Sequence, residues 1–226
     1  MSRRRRGFPL VVAAPSGTGK TTVCRALVAR DPRLLFSVSH TTRARRPDEE
    51  DGRDYHFVGE AEFRRMIDAG EFLEWAVYND RLYGTSFAAI DAALASGHDV
   101  VLEIEVQGAR QVRKRRADAR LVFLLPPAWP ALEARLRRRG TDGEEEIERR
   151  LLVAKGELAA AEEFDYAVVN DDLDTCVREL AEIVAAERRG DTAALRARFA
   201  PGPALSRVGA CPVRPSRGER VDSGTR

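Results

Sequence analysis

The chain has 226 residues, 43% of them hydrophobic, with a formal net charge of +2. That length suits one α/β domain with a sizeable core and a small inserted lobe. The basic excess lies in the arginines at 3–6 and beyond position 199, so the body is mildly acidic, which argues against a dedicated nucleic-acid binder.

The first apolar run, 8–13, reads as a buried strand and leads into Ala14-Pro15-Ser16-Gly17-Thr18-Gly19-Lys20-Thr21, with a helical run at 22–30 behind it. Strand, glycine-bearing turn and helix in that order predict a phosphate-binding loop. Successive backbone N–H groups in such a turn converge on an anion, and the helix N-terminus adds its positive dipole end. Lys20 is expected at the β- and γ-phosphates, Thr21 as a ligand of Mg²⁺, and Thr22 beside them. Ala14 stands where the strict pattern has glycine, a change that extended backbone tolerates. Lysine recurs only at positions 114 and 155, which makes Lys20 stand out.

The arginines ahead of this strand imitate a secretory signal. Cleavage there would destroy the loop, and no run approaches the roughly eighteen apolar residues of a membrane span. The chain is therefore expected in the cytoplasm. Cys24, Cys176 and Cys211 are odd in number and widely spaced, and His40, His56 and His98 are scattered, so neither set predicts a metal site.

Further along, apolar patterning predicts strands at 34–39 and 55–58, a helix at 60–69, a strand at 72–78 and a helix at 86–96. Strands follow at 100–104 and 121–125, the latter stopped by Pro126-Pro127, then helices at 128–138 and 144–161. A last strand at 166–169 precedes a helix at 173–189. The alternation predicts a parallel sheet flanked by helices, with a mixed α/β lobe inserted at 34–96 and the core formed by 8–33 and 97–189. The first seven residues read as a basic extension. The tail at 190–226, rich in Gly, Pro, Ser and Arg from 201 on, reads as disordered.

Within the lobe, Arg43, Arg45 and Arg46 follow a strand, where guanidinium forks can grip a phosphate. On those residues alone a solvated basic turn reads equally well. The ordered series decides more: Val38-Ser39-His40-Thr41-Thr42-Arg43, Phe72-Leu73-Glu74, Tyr83-Gly84-Thr85-Ser86, Val106-Gln107-Gly108-Ala109, Leu124-Leu125-Pro126-Pro127, Arg139-Gly140-Thr141 and Val169-Asn170-Asp171-Asp172. Across 8–189 this series resembles the guanylate kinase family, of the bacterial enzymatic kind.

The resemblance implies phosphoryl transfer from ATP to GMP, and it assigns roles. Arg43, Arg46, Tyr55 and Tyr83 would hold the acceptor phosphate. Glu74 would accept from guanine N1–H and its exocyclic amine, with Ser39 and Thr85 on neighbouring edge groups. Glu103 and Glu105 stand where the family usually has an aspartate at one or both positions, near the guanine or the Mg²⁺ water shell. Arg135, Arg139 and Arg150 match the arginines of a lid at about 135–155, and Asn170 matches a position near the adenine of ATP. Arg137, Arg138 and Arg149 read as a solvated helix face. ATP and GMP are thus the implied substrates, with Mg²⁺ accompanying the donor. A non-catalytic module of the same family is disfavoured by Lys20-Thr21 and the lid arginines. A related sugar-phosphate kinase is disfavoured by Ser39, Glu74 and Thr85.

Overall fold

The computed structural model describes residues 6–78, 80–138 and 143–208. In chain order the elements are β1 (Pro9–Ala13), α1 (Lys20–Arg30), β2 (Leu34–Phe36), β3 (His40–Thr41), β4 (His56–Phe57), α2 (Glu60–Asp68), β5 (Phe72–Tyr78), β6 (Arg81–Ser86) and α3 (Phe87–Ala95). They continue with β7 (Asp99–Glu103), α4 (Val106–Arg115), β8 (Arg120–Leu125), α5 (Trp129–Arg138), α6 (Glu144–Ala159), β9 (Tyr166–Val169), α7 (Leu173–Arg189), α8 (Ala193–Arg198) and α9 (Pro201–Val208).

The central sheet has the order β2-β7-β1-β8-β9 and is parallel throughout. Side chains alternate across a strand, so β1, β7, β8 and β9 each feed two cores, while the edge strand β2 buries only Leu34. Val11 and Ala13 of β1 join Leu102, Phe123 and Leu125 on one face, against α3, α4 and α9. Leu10 and Val12 join Val101, Val122 and Val168 on the other, against α1 and α7. The expected parallel sheet flanked by helices is what the chain forms.

The second sheet, β4-β3-β6-β5, belongs to the inserted lobe. Its small core is Phe63, Met66, Phe72 and Leu82, with Phe63 and Phe72 stacked at 4.4 Å between ring centroids. The lobe is narrower than the expected 34–96. Leu34 is buried and β2 pairs in parallel with β7, so the strand there belongs to the central sheet and stops at Phe36. The helix α3 likewise puts Ile90 and Leu94 into the main core. Before the tail, three elements lie outside the patterned segments: β3, which starts one residue past the expected strand; β6, whose Gly84 and polar residues hide any alternation; and α4, whose outward face is almost all Arg, Lys and Gln.

The tail also departs from expectation. Residues 193–208 form α8 and α9, and Phe199, Ala204 and Val208 are buried. Ala204 and Val208 stand one helical turn apart and, with the partly buried Leu205, put a short apolar stripe against the sheet. Pro201 opens α9, where its missing N–H costs nothing. Ala167 N donates to Phe199 O at 2.8 Å, which ties this segment to the edge strand β9. At the other end Gly7 N donates to Leu94 O at 2.9 Å, so residue 7 belongs to the body. The expectations for residues 1–5 and 209–226 lie outside the described residues. Among the described residues no helix is long and apolar enough to cross a membrane.

Candidate active site

The loop between β1 and α1 closes at Gly17 and Gly19, whose φ values of 88° and 90° favour glycine. Lys20 opens α1 with its side chain only 12% exposed. Its Nζ donates to Ile104 O at 2.9 Å and to Glu105 Oε1 at 2.8 Å. Burial by itself would lower the Lys20 pKa, but Glu105 and then Glu103 outweigh it and the pKa is raised, so the ammonium keeps its charge. Thr21 Oγ1 donates to Glu103 Oε1 at 2.5 Å. A hydroxyl and a carboxylate are the hard oxygen donors that Mg²⁺ takes, with phosphates and water completing its shell, so this pair fits that ion.

Two cavities meet here. One, of about 480 Å³, runs along Ala14, Pro15, Ser16, Gly17, Gly19, Thr21 and Thr22. The other, of about 250 Å³, opens toward the lobe and is lined by Ser39, Tyr55, Glu74 and Tyr83. Lys20, Tyr78, Glu103 and Glu105 line both. A chain of anions bound in the two cavities would therefore meet at one ammonium group.

In the lobe cavity Glu74 is 4% exposed. Thr85 N donates to its Oε1 at 2.9 Å, and Ser39 Oγ lies 3.1 Å from Thr85 Oγ1. Burial pushes the Glu74 pKa up to about 7, against the smaller opposing effect of the Thr85 hydrogen bonds. Its other oxygen lies over Gly108, where an added Cβ would come within 2.6 Å of Glu74 Oε2. Tyr55 and Tyr83 meet edge to face at 6.0 Å.

The expected phosphate-gripping arginines are engaged within the lobe. Arg43 donates from both terminal nitrogens to Glu49, at 3.0 and 2.6 Å, and lies 5.5 Å from the Tyr55 ring centroid. Arg46 is largely exposed, 3.9 Å from the same carboxylate. Glu49, which patterning did not single out, neutralises this corner, and its place three to six residues beyond the arginines was the available signal.

The remaining expected residues divide. Arg150 lines the larger cavity and donates to Glu146 Oε1 at 3.3 Å. Arg149, expected on a solvated face, is exposed and bound to Glu146 yet also lines that cavity. Arg137 matches the solvated expectation, paired with Glu133 and Glu144. Arg135 donates to Asn170 O at 3.1 Å and to Thr18 O at 3.4 Å, and Asn170 Nδ2 donates to Thr18 O at 2.6 Å. These two therefore brace the phosphate loop from behind. Arg139 lies outside the described residues.

Glu157 is a further residue of the site. It lines the larger cavity from α6, and its Oε2 is buried without a hydrogen-bond partner among the described residues. Burial first and Glu105 second push its pKa up to about 7, while Lys20 and the Ser16 backbone pull it down. The sequence signal was its spacing: seven residues after Arg150 is two helical turns along the same face.

Comparisons with known proteins place the chain in one family. A model of the family described as guanylate kinase matches residues 6–187. The guanylate kinase of Aromatoleum aromaticum is 50% identical over 182 residues, covering 80% of this chain and 89% of that protein. That of Bordetella pertussis is also 50% identical over 182 residues, covering 80% and 85%. The crystal structure of guanylate kinase from Anaplasma phagocytophilum is similar with a TM-score of 0.65 and 30% identity, covering 81% of this chain and 87% of that one.

Proposed function

The chain belongs to the guanylate kinase family, and from that premise we propose that it transfers the γ-phosphoryl group of ATP to GMP, and to dGMP, within purine nucleotide metabolism. The observation that carries this reading is the junction of the two cavities at Lys20, Glu103 and Glu105. ATP occupies the cavity along the phosphate loop, and GMP occupies the lobe cavity with its base on Glu74.

The acceptor phosphate already carries a nucleophilic oxygen, so no strong general base is needed. A GMP phosphate oxygen forms the new bond to the γ-phosphorus as the bond to the β,γ-bridging oxygen breaks, leaving ADP. Positioning and charge neutralisation supply the acceleration. Lys20 exchanges Glu105 for the bridging region of the triphosphate. Arg43 exchanges Glu49 for the GMP phosphate, helped by the Tyr55 and Tyr83 hydroxyls, which bind phosphate without adding charge. Arg150 and Arg149 approach the donor from the lid. Bound at the Thr21 hydroxyl and the Glu103 carboxylate, Mg²⁺ would neutralise charge on the donor phosphates.

Water excluded from the junction cannot take the phosphoryl group. Val77 and Tyr78 on the lobe and Val153 on α6 are exposed apolar side chains lining the donor cavity. Their approach on closure would dry it.

ADP release measured with GMP, IMP, AMP and ribose 5-phosphate as acceptors tests the reading. GMP is expected to be preferred by orders of magnitude. Equal use of ribose 5-phosphate, or no turnover with any nucleotide, overturns it.

A further inference from the structure

Strand β5 is an edge of the lobe sheet, and its pairing with β6 is irregular. Phe72 pairs with Ser86 and Glu74 with Thr85, so Leu73 is an extra residue. A bulge of this kind leaves ladder groups without strand partners and re-aims the neighbouring side chain. The side chain re-aimed here is that of Glu74.

The far side of this edge is covered by one face of α4. Gln111 Nε2 donates to Trp75 O at 2.7 Å, and Trp75 N donates to Gln111 Oε1 at 3.3 Å. The side-chain amide thus makes the two bonds that a neighbouring strand's peptide would make. One turn further, Arg115 Nη1 donates to Phe72 O and, at 3.1 Å, to Leu73 O. One turn earlier, Gly108 lies against the Glu74 carboxylate. Residues 108, 111 and 115 share a helix face, and together they hold the whole bulge.

We infer that Gln111 is a positioning residue for base selection, clamping both backbone polar groups of Trp75 so that the preceding Glu74 carboxylate is held at one place in the acceptor cavity. The inference rests on Glu74 being the guanine reader. Gln111 touches no substrate. It acts by standing in for the absent strand beside β5, so loosening it lets the bulge shift and the carboxylate wander. Specificity would suffer more than turnover, because a buried acceptor displaced from its donors loses the bond that separates one base from another.

The test uses Gln111→Met, which keeps length and helix propensity but removes the amide, and Gln111→Glu, which keeps the acceptor for Trp75 N–H and loses the donor to its carbonyl. Steady-state kinetics with GMP, IMP and ATP are combined with hydrogen exchange of the Trp75 amide. In Gln111→Met that amide should exchange faster, and the ratio of kcat/KM for GMP over IMP should fall about ten-fold, with the KM for ATP changed less than about two-fold. In Gln111→Glu a carboxylate oxygen faces the Trp75 carbonyl, so the ratio should fall at least as far, and this variant decides the matter if the Met variant does not fold. A ratio equal to the parent's, or a matched loss for GMP and ATP, overturns the inference. A parent that does not prefer GMP to IMP overturns the reading of Glu74, and the role of Gln111 falls with it.

Discussion

Lys20 Nζ and Glu105 Oε1 lie 2.8 Å apart and join positions separated by 85 residues. The pair draws the start of α1 onto the end of β7, and it fills the place where the two cavities meet. Glu105 here acts as the resting counter-ion of the lysine. In the proposed reaction a triphosphate would compete with it, favoured by its greater negative charge. The same logic applies to Arg43, whose guanidinium is held in a fork by Glu49 at 2.6 and 3.0 Å. Both cationic groups are thus pre-oriented by carboxylates that substrate phosphates would replace.

Replacing Lys20 with alanine removes the charge at the junction while deleting little packing. Turnover should fall by about 10²-fold or more, the usual loss for one electrostatic contact at a transition state. A circular dichroism melt should show the fold retained. A Lys20→Ala protein with near-parental kcat would rule out the phosphate-loop assignment.

Glu74→Gln keeps the shape of the base reader but turns one acceptor oxygen into a donor facing the base's own donors. A mispaired buried group costs ~1–3 kcal/mol, so affinity for GMP should drop roughly 10- to 100-fold with ATP affinity little changed. IMP lacks the 2-amino group, so the preference for GMP over IMP should shrink as well. If the variant discriminates as sharply as the parent, guanine is read elsewhere, and Glu105 is the next residue to change.

The raised pKa of Glu74, about 7 against an ordinary 4.5, has two consequences for pH. Between those values the free folded protein binds a proton that the unfolded chain releases. This group's contribution to stability is full below 4.5 and is lost as pH rises through about 7. Guanine's N–H donors favour the ionised carboxylate, so GMP binding should expel that proton and tighten as pH rises toward 7. Calorimetry of GMP binding near pH 6 in buffers of different ionisation enthalpy should report proton release beyond that of the GMP phosphate. Release identical in Glu74→Gln would refute the assignment.

Phe199 is 5% exposed in the core beside α7, and its carbonyl caps the edge strand β9. Phe199→Ala should cost about 3–5 kcal/mol of stability, the usual penalty for such a buried ring. Because it lies away from both cavities, kcat at low temperature should change little. Chemical denaturation and a kinetic assay on the same preparation separate the two effects. Unaltered stability would mean that the segment carrying α8 and α9 is not part of the folded body.

What the sequence determined is local and covalently adjacent. The phosphate loop was legible because Gly17, Gly19, Lys20 and Thr21 sit within one turn, between a strand and a helix of clear period. The parallel sheet was legible from apolar strands alternating with helices, and β1, β7, β8 and β9 are indeed buried on both faces, while the edge strand β2 buries only Leu34. Tertiary structure decided the rest, because it depends on which polar groups meet when distant segments pack. No spacing rule announces that Glu105 takes Lys20, or that Asn170 and Arg135 brace Thr18 from behind. Nor does one reveal that α4 completes the edge of β5, since Gln111 and Trp75 are 36 residues apart. The tail was misread for the same reason. Ala204, Leu205 and Val208 make a stripe too short to stand out among the Gly, Pro, Ser and Arg around it, and only the sheet they cover gives that surface somewhere to go.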